Sequence, residues 1–192
     1  YANFIVDGLL ESDVLRPYGD RALVMGGRRC IDYLRQRRGG TGLRFACLAH
    51  TEAVERLRRA AIVLTAPGLT TALECFQLAI PTFFLPPQNY SQWWILTRLR
   101  ERSLAPQSFH WEDVLPNRLL AERMPEARRV PLLRDLLERS IDDADAALAF
   151  HAALAAVPSV DRPTLASHQR SFFDTLGPNA VAAIAAEVAA LC

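Results

Sequence analysis

The segment Thr65-Ala66-Pro67-Gly68-Leu69-Thr70-Thr71-Ala72-Leu73-Glu74 holds the residues best placed to do chemistry. Pro67-Gly68 ends an apolar run, and a glycine there lets a ligand come close to the main chain. Leu69, Thr70 and Thr71 would offer N–H groups at a helix start, with two hydroxyls beside them. That is an anion site by geometry and dipole together. Glu74 falls one to two turns into the same helix, where its carboxylate could accept two sugar hydroxyls. The same residues also read as an ordinary strand–turn–helix in which the threonines only cap. A second segment, Pro86-Pro87-Gln88-Asn89-Tyr90-Ser91-Gln92, is rich in amides. Asn89 and Gln92 carry both donors and acceptors, which suits sugar hydroxyls. A rigid proline corner with capping amides is the other reading. Third, Gly26-Gly27 leads into Arg28 and Arg29, which either add charge near a bound phosphate or form solvated surface.

Other chemistries are excluded or carry little. All 22 basic residues are Arg, so Lys is absent. A Walker-type phosphate loop, a pyridoxal-phosphate enzyme and a Schiff-base aldolase each need a Lys amine. A nicotinamide Rossmann module wants G-x-G-x-x-G after its first strand, and Gly26-Gly27-Arg28-Arg29-Cys30 lacks it. The net charge of +1 argues against an electrostatic nucleic-acid binder. No apolar run approaches the ~20 residues of a membrane span. No signal-peptide pattern opens the chain, so a cytoplasmic location is expected. Cys30, Cys47, Cys75 and Cys192 are widely spaced and read as reduced core thiols. Asp142-Asp143-Ala144-Asp145 lacks the DDxxD spacing of metal-binding acids, and a solvated helix segment is expected. Trp93-Trp94 reads as packing at a helix start, or as one ring facing a ligand. His50, His110, His151 and His168 show no metal-type spacing, and a surface or capping role suits each. No metal or cofactor is expected.

The elements that must position these residues follow from the apolar runs. Ala22–Met25, Leu43–Leu48, Ala61–Leu64 and Pro81–Leu85 read as strands. Helical patterns separate them: Arg28 to Arg38, a short helix capped by Thr51 and running to Arg59, and Leu69 to Leu78. Ser91 is placed to cap a helix that runs to Arg102. Strands apolar throughout, separated by short helices, predict a parallel sheet covered on both faces. Right-handed crossovers then give an α/β fold with a doubly wound parallel sheet. From Asn117 onward the pattern is helical. Pro131 suits a first turn, Thr164 to Leu176 is closed by Gly177, and an Ala-rich helix starts at Pro178. Residues 1–20 read as a linker or the end of a preceding domain. Residues 21–115 read as a Rossmann-like domain, and 116–192 as a helical C-terminal extension. The chain opens on Tyr1 and is expected to be a piece of something longer.

The run from Gly68 through Gln92 resembles the donor-binding half of GT-B fold glycosyltransferases. These include the peptidoglycan N-acetylglucosaminyltransferase and the UDP-glycosyltransferases. In that resemblance a Gly-x-x-Thr turn holds the nucleotide diphosphate, and a Glu six residues after the Gly accepts the ribose hydroxyls; here these are Gly68 and Glu74. Pro81 stands seven residues on and Pro86 five beyond it. Asn89 and Gln92 match the acid-or-amide and Gln that hold the donor sugar. Leu23 to Gly27 is similar to the strand and Gly-rich turn that opens such a domain, which brings in Gly26, Gly27 and Arg28. The main chain at Leu48-Ala49-His50 lies where that family reads the uracil. Pro67–Thr71 and Leu85–Gln92 look closer still to cytosylglucuronate synthases.

There are departures. Only one short helix fits between Gly27 and Leu43, where the family has a further strand–helix pair. Thr65 and Ala66 replace a common His, and Asn89 or Ser91 replaces the acid of the common Asp-Gln pair. The acceptor-binding domain, which commonly holds the catalytic base, is not read in these 192 residues. The resemblance implies a glycosyltransferase that takes a UDP-sugar and a small-molecule acceptor, with a Rossmann-like sheet and no metal. Helix dipole and N–H donors stand in for the metal. The acceptor side would be an N-terminal domain or a separate chain. The alternative is a non-catalytic donor-binding subunit.

Overall fold

Every expected strand run forms a strand, and each is three residues long. The structure, a computed structural model, describes residues 1–114 and 126–177. The strands are β1 (Leu23–Met25), β2 (Arg44–Ala46), β3 (Val63–Thr65) and β4 (Thr82–Phe84). β1 pairs with β2 in parallel, Leu23 opposite Arg44, and β3 pairs with β4 in parallel, Val63 opposite Thr82. Each pair is joined by a crossover helix, α2 (Arg28–Arg38) in the first and α4 (Leu69–Gln77) in the second. The described residues therefore form a mixed α/β structure with two small parallel sheets.

The second pair is covered on both faces, as its apolar sequence requires. β4 is buried throughout, and its side chains alternate between two cores. Phe83 packs with Phe4, Trp93, Trp111 and Phe150. Phe84 packs on the other side with Phe76, Leu96 and Leu99. The first pair is more open. Met25 and Arg44 are exposed, and α2 buries only Ile31 and Leu34. An arginine at the head of β2 and an arginine-rich α2 leave little apolar surface to cover those strands.

The helices differ from expectation at their starts. Residues 2–11 form α1 (Ala2–Glu11), whose Phe4, Ile5 and Leu9 enter the first core. α3 (His50–Arg58) starts after Ala49 rather than under Thr51, and Glu52 accepts from the Ala49 N–H at 3.2 Å. α5 (Tyr90–Glu101) starts under Asn89 rather than Ser91. Asn89 caps α5 with its side-chain oxygen, whereas α3 has an alanine N-cap and Glu52 reaches back to it; apolar periodicity specifies neither.

α6 (Glu126–Ile141) carries Pro131 inside the helix rather than in a first turn, and buries Leu133 and Leu136. α7 (Ala144–Ala156) shows what the acidic run does: Asp143 Oδ1 accepts from the N–H of Asp145 at 2.8 Å and of Ala146 at 3.1 Å. α8 (Arg162–Thr175) is capped by Asp161 and followed by Gly177 at φ +68. The helix expected from Pro178, the first part of the helical pattern expected from Asn117 onward, and Cys192 lie outside the described residues. No helix among the described residues is long and apolar enough to cross a membrane.

Candidate functional site

The turns that leave the strands carry the candidate residues, because a parallel sheet delivers its connections at the strands' C-terminal ends. At the end of β3, Gly68 is the N-cap of α4, with φ −85 and ψ 132, and it has no side chain to cap with. Neither threonine takes over that role. The N–H groups of Leu69, Thr70 and Thr71 find no acceptor among the described residues, and neither do the two threonine hydroxyls. The turn is therefore a helix start with its donors open, the arrangement that favours an anion.

A Cβ added at Gly68 would meet nothing closer than the Ala66 carbonyl oxygen at 3.9 Å, and its φ suits any residue. Gly27 has equal room, with nothing within 4 Å. Glycine at these two places is not demanded by packing or by backbone conformation. Arg28 and Arg29 are exposed in the first turn of α2, where no acidic residue accompanies them. Neither has an ion-pair partner among the described residues. Two cations at the positive end of a helix repel its dipole, and a bound anion would relieve that.

Glu74 stands one turn beyond Thr70 on α4 and is half-buried. Its Oε1 lies 3.5 Å from Nε2 of His50, the first residue of α3. This contact joins the exit of β2 to the exit of β3. It also brings the carboxylate expected at a ribose beside the main chain expected to read a base, Leu48-Ala49-His50. The side chain of His50 was no candidate on sequence grounds; the signal available was a histidine at a helix start directly after a strand.

The loop after β4 is a rigid corner. Trp111 Nε1 donates to the Pro87 carbonyl at 2.8 Å, and the half-buried Tyr1 hydroxyl donates to the Pro86 carbonyl. Burial raises the Tyr1 phenol's pKa, which keeps it a donor. Asn89 Oδ1 accepts from the Gln92 N–H at 2.9 Å, and Gln92 Oε1 accepts from the Gln88 N–H at 2.8 Å. Both amide oxygens are thus spent on capping α5. The two amide NH2 groups have no partner among the described residues, so any contribution to a ligand would be as donors.

The remaining candidates are structural. Trp93 is buried in the first core, and Trp94 carries Arg98 over its ring. His110, expected at the surface, is 1% exposed; its Nδ1 accepts from the Glu112 N–H at 3.3 Å, so the capping half of the expectation holds. Burial lowers its pKa to about 4 and keeps it neutral. Cys75 is buried, which pushes its thiol up to about 11. Cys30 and Cys47 are exposed, where core positions were expected, because both sit at the open end of the first strand pair. A cavity of about 280 Å³ lies between α4, α5 and α8, lined by Leu69, Leu73, Phe76, Ile95 and Leu99 among others. Its wall is mostly apolar, with Arg98 and Arg102 the charged residues on it. Among the described residues no three of His, Cys, Asp and Glu gather as a metal site.

Comparison with family models, curated proteins and solved structures finds no match.

Proposed function

We propose that the chain is the donor-binding half of a GT-B glycosyltransferase that takes a UDP-sugar and passes the sugar to a small-molecule acceptor. On this reading the two parallel pairs belong to one doubly wound, Rossmann-like sheet. The observation that carries it is the α4 start. Open amides at Leu69, Thr70 and Thr71 and the carboxylate of Glu74 share one helix, with Thr70 about 6 Å ahead of Glu74 along its axis. A nucleoside diphosphate presents its diphosphate and its ribose diol at about that separation. The Gly68–Glu74–Pro81–Pro86–Asn89/Gln92 intervals support the same assignment.

In the reaction the bond between the anomeric carbon and the β-phosphate oxygen breaks, and an acceptor atom bonds to the anomeric carbon and gives up its proton to a base on the acceptor side. The electron pair leaves on the diphosphate. Donors aimed at that developing charge lower the barrier, and the α4 amides with the helix dipole supply them. With no Lys in the chain, any further positive charge must come from Arg, and Arg28 beside Gly26 and Gly27 is suitably open. The Asn89 and Gln92 amide groups would donate to the sugar.

Calorimetry with UDP and UDP-sugars tests the reading. Binding that is lost in Glu74→Ala is expected. No binding at millimolar ligand, or binding indifferent to that substitution, overturns it. Transfer by the purified chain alone separates an enzyme from a donor-binding subunit.

A further inference from the structure

We infer that His50 is a positioning residue that holds the Glu74 carboxylate in the orientation needed to grip a ribose diol, and so sets the site's preference for ribose over deoxyribose. The inference rests on the proposed nucleotide site. Its own observation is the asymmetry of the pair. The Glu74 side chain is 25% exposed and set back on α4, whereas that of His50 is 72% exposed and reaches it from a different element, the first turn of α3. The Nε2–Oε1 separation of 3.5 Å engages one carboxylate oxygen and leaves Oε2 open.

Among the described residues no other side chain pairs with that carboxylate. Without His50, Glu74 is therefore free to turn among its rotamers, and ordering it falls to the ligand. His50 adjoins Leu48 and Ala49, where the base is expected, so it stands at the junction of base and sugar. A diol accepted by one carboxylate needs both of its oxygens oriented at once. An imidazole 3.5 Å from Oε1 favours the carboxylate orientation that leaves Oε2 open to the ligand.

The test uses the full chain and two probes, UDP and 2′-deoxy-UDP, by calorimetry. Wild type is expected to prefer UDP by at least about tenfold, the scale of one hydrogen bond to a charged group. His50→Ala is expected to cut that preference by about two- to fivefold, the scale of a weak, partly exposed polar contact. Its melting temperature should not change, because the side chain is largely in solvent. His50→Gln keeps a donor of similar reach and should restore most of the preference, which a merely structural role would not predict.

An unchanged preference in His50→Ala, with UDP still bound, overturns this inference and leaves the donor site standing. Equal binding of both probes by wild type removes Glu74 from the ribose, and the inference with it. No binding of UDP by wild type overturns the donor reading itself.

Discussion

Gln169 pairs with the main chain of Thr82 as a neighbouring strand would. Its Oε1 accepts from the Thr82 N–H at 3.0 Å, and its Nε2 donates to the Thr82 carbonyl at 2.8 Å. The same Nε2 donates to the Leu104 carbonyl at 2.8 Å. On its other side the ladder of β4 belongs to β3, through Val63 N–H to the Pro81 carbonyl and Leu85 N–H to the Thr65 carbonyl. One buried side chain from α8 thus closes an edge that would otherwise present unpaired groups inside the molecule. It also fixes the level of β4, whose exit carries the Asn89–Gln92 turn.

Gln169→Leu keeps the volume and removes all three bonds. Three buried main-chain groups would be left without partners, and each orphan costs about 1–3 kcal/mol before any relaxation. Destabilisation of about 2–4 kcal/mol is expected, read as a lower denaturation midpoint in urea. A loss below about 0.5 kcal/mol would mean that the edge is satisfied some other way.

The contact of α1 with α7 depends on the absence of one methyl group. A Cβ at Gly8 would lie 2.5 Å from Cε1 and 2.7 Å from Cδ1 of Phe150. That ring has little room to yield: it is 1% exposed, stacked on Phe4 at 5.1 Å and tilted against Phe109 at 5.9 Å. Gly8→Ala should destabilise by about 1–3 kcal/mol, the usual cost of overfilling a packed core. Gly27→Ala, with nothing within 4 Å, serves as the control and should leave the melting temperature in place.

Local signals account for the elements and for much of the candidate site. β1 to β4 lie in short apolar runs, and Gly26, Pro67 and Pro86 stop three of them, since these residues end strands by their own geometry. The site turns were legible for the same reason. α1 is not legible as a helix in the same way, because residues 1–20 read as a linker or the end of a preceding domain; the helical face shared by Phe4, Ile5 and Leu9 is the signal available. What stayed hidden is tertiary. Gln169 meets Thr82 across 87 residues, and no spacing announces that. His50 meets Glu74 because the start of α3 lies against α4, and His110 is buried where Trp93 packs edge-on against its ring and Thr97 stands 3.4 Å from its Nε2. Asn89 rather than Ser91 caps α5, since periodicity locates a helix to within a few residues and not its first one.

Burial of His110 makes stability depend on pH in a stated direction. Burial, assisted by the positive charge of Arg100, lowers its pKa from 6.5 to about 4, against the opposing pull of the Trp93 carbonyl and Asp113. Between those values the unfolded chain takes up a proton that the folded chain refuses. Stability therefore rises with pH across that window and is fully present above about 6.5. The full contribution is about 3 kcal/mol at 1.36 kcal/mol per tenfold change in proton affinity. Glu112, shifted upward by burial, works the other way just above its ordinary range and offsets part of it. Urea midpoints measured from pH 4 to 7 should climb in wild type and climb much less in His110→Gln, which has no proton to gain. Parallel curves would remove His110 as the cause.

Gly68→Ala separates the fold from the site in a single methyl group. At φ −85 and ψ 132 an alanine is unstrained, and its Cβ would stand 3.9 Å from the nearest atom outside its chain neighbours, the Ala66 carbonyl oxygen. Reduced freedom in the unfolded chain favours the alanine by about 0.4–1 kcal/mol, whereas an N-cap glycine is preferred to alanine by a similar amount. The melting temperature should hardly move. The methyl group adds bulk at the N-cap of α4, where a diphosphate held by the turn would make its closest approach to the main chain. Affinity for UDP should fall at least about tenfold, equivalent to 1.4 kcal/mol. Gly39→Ala gives the opposite pattern: its Cβ would lie 2.7 Å from the Arg35 carbonyl oxygen, so stability should drop while UDP affinity holds. If Gly68→Ala binds UDP as wild type does, the diphosphate does not sit on the α4 start.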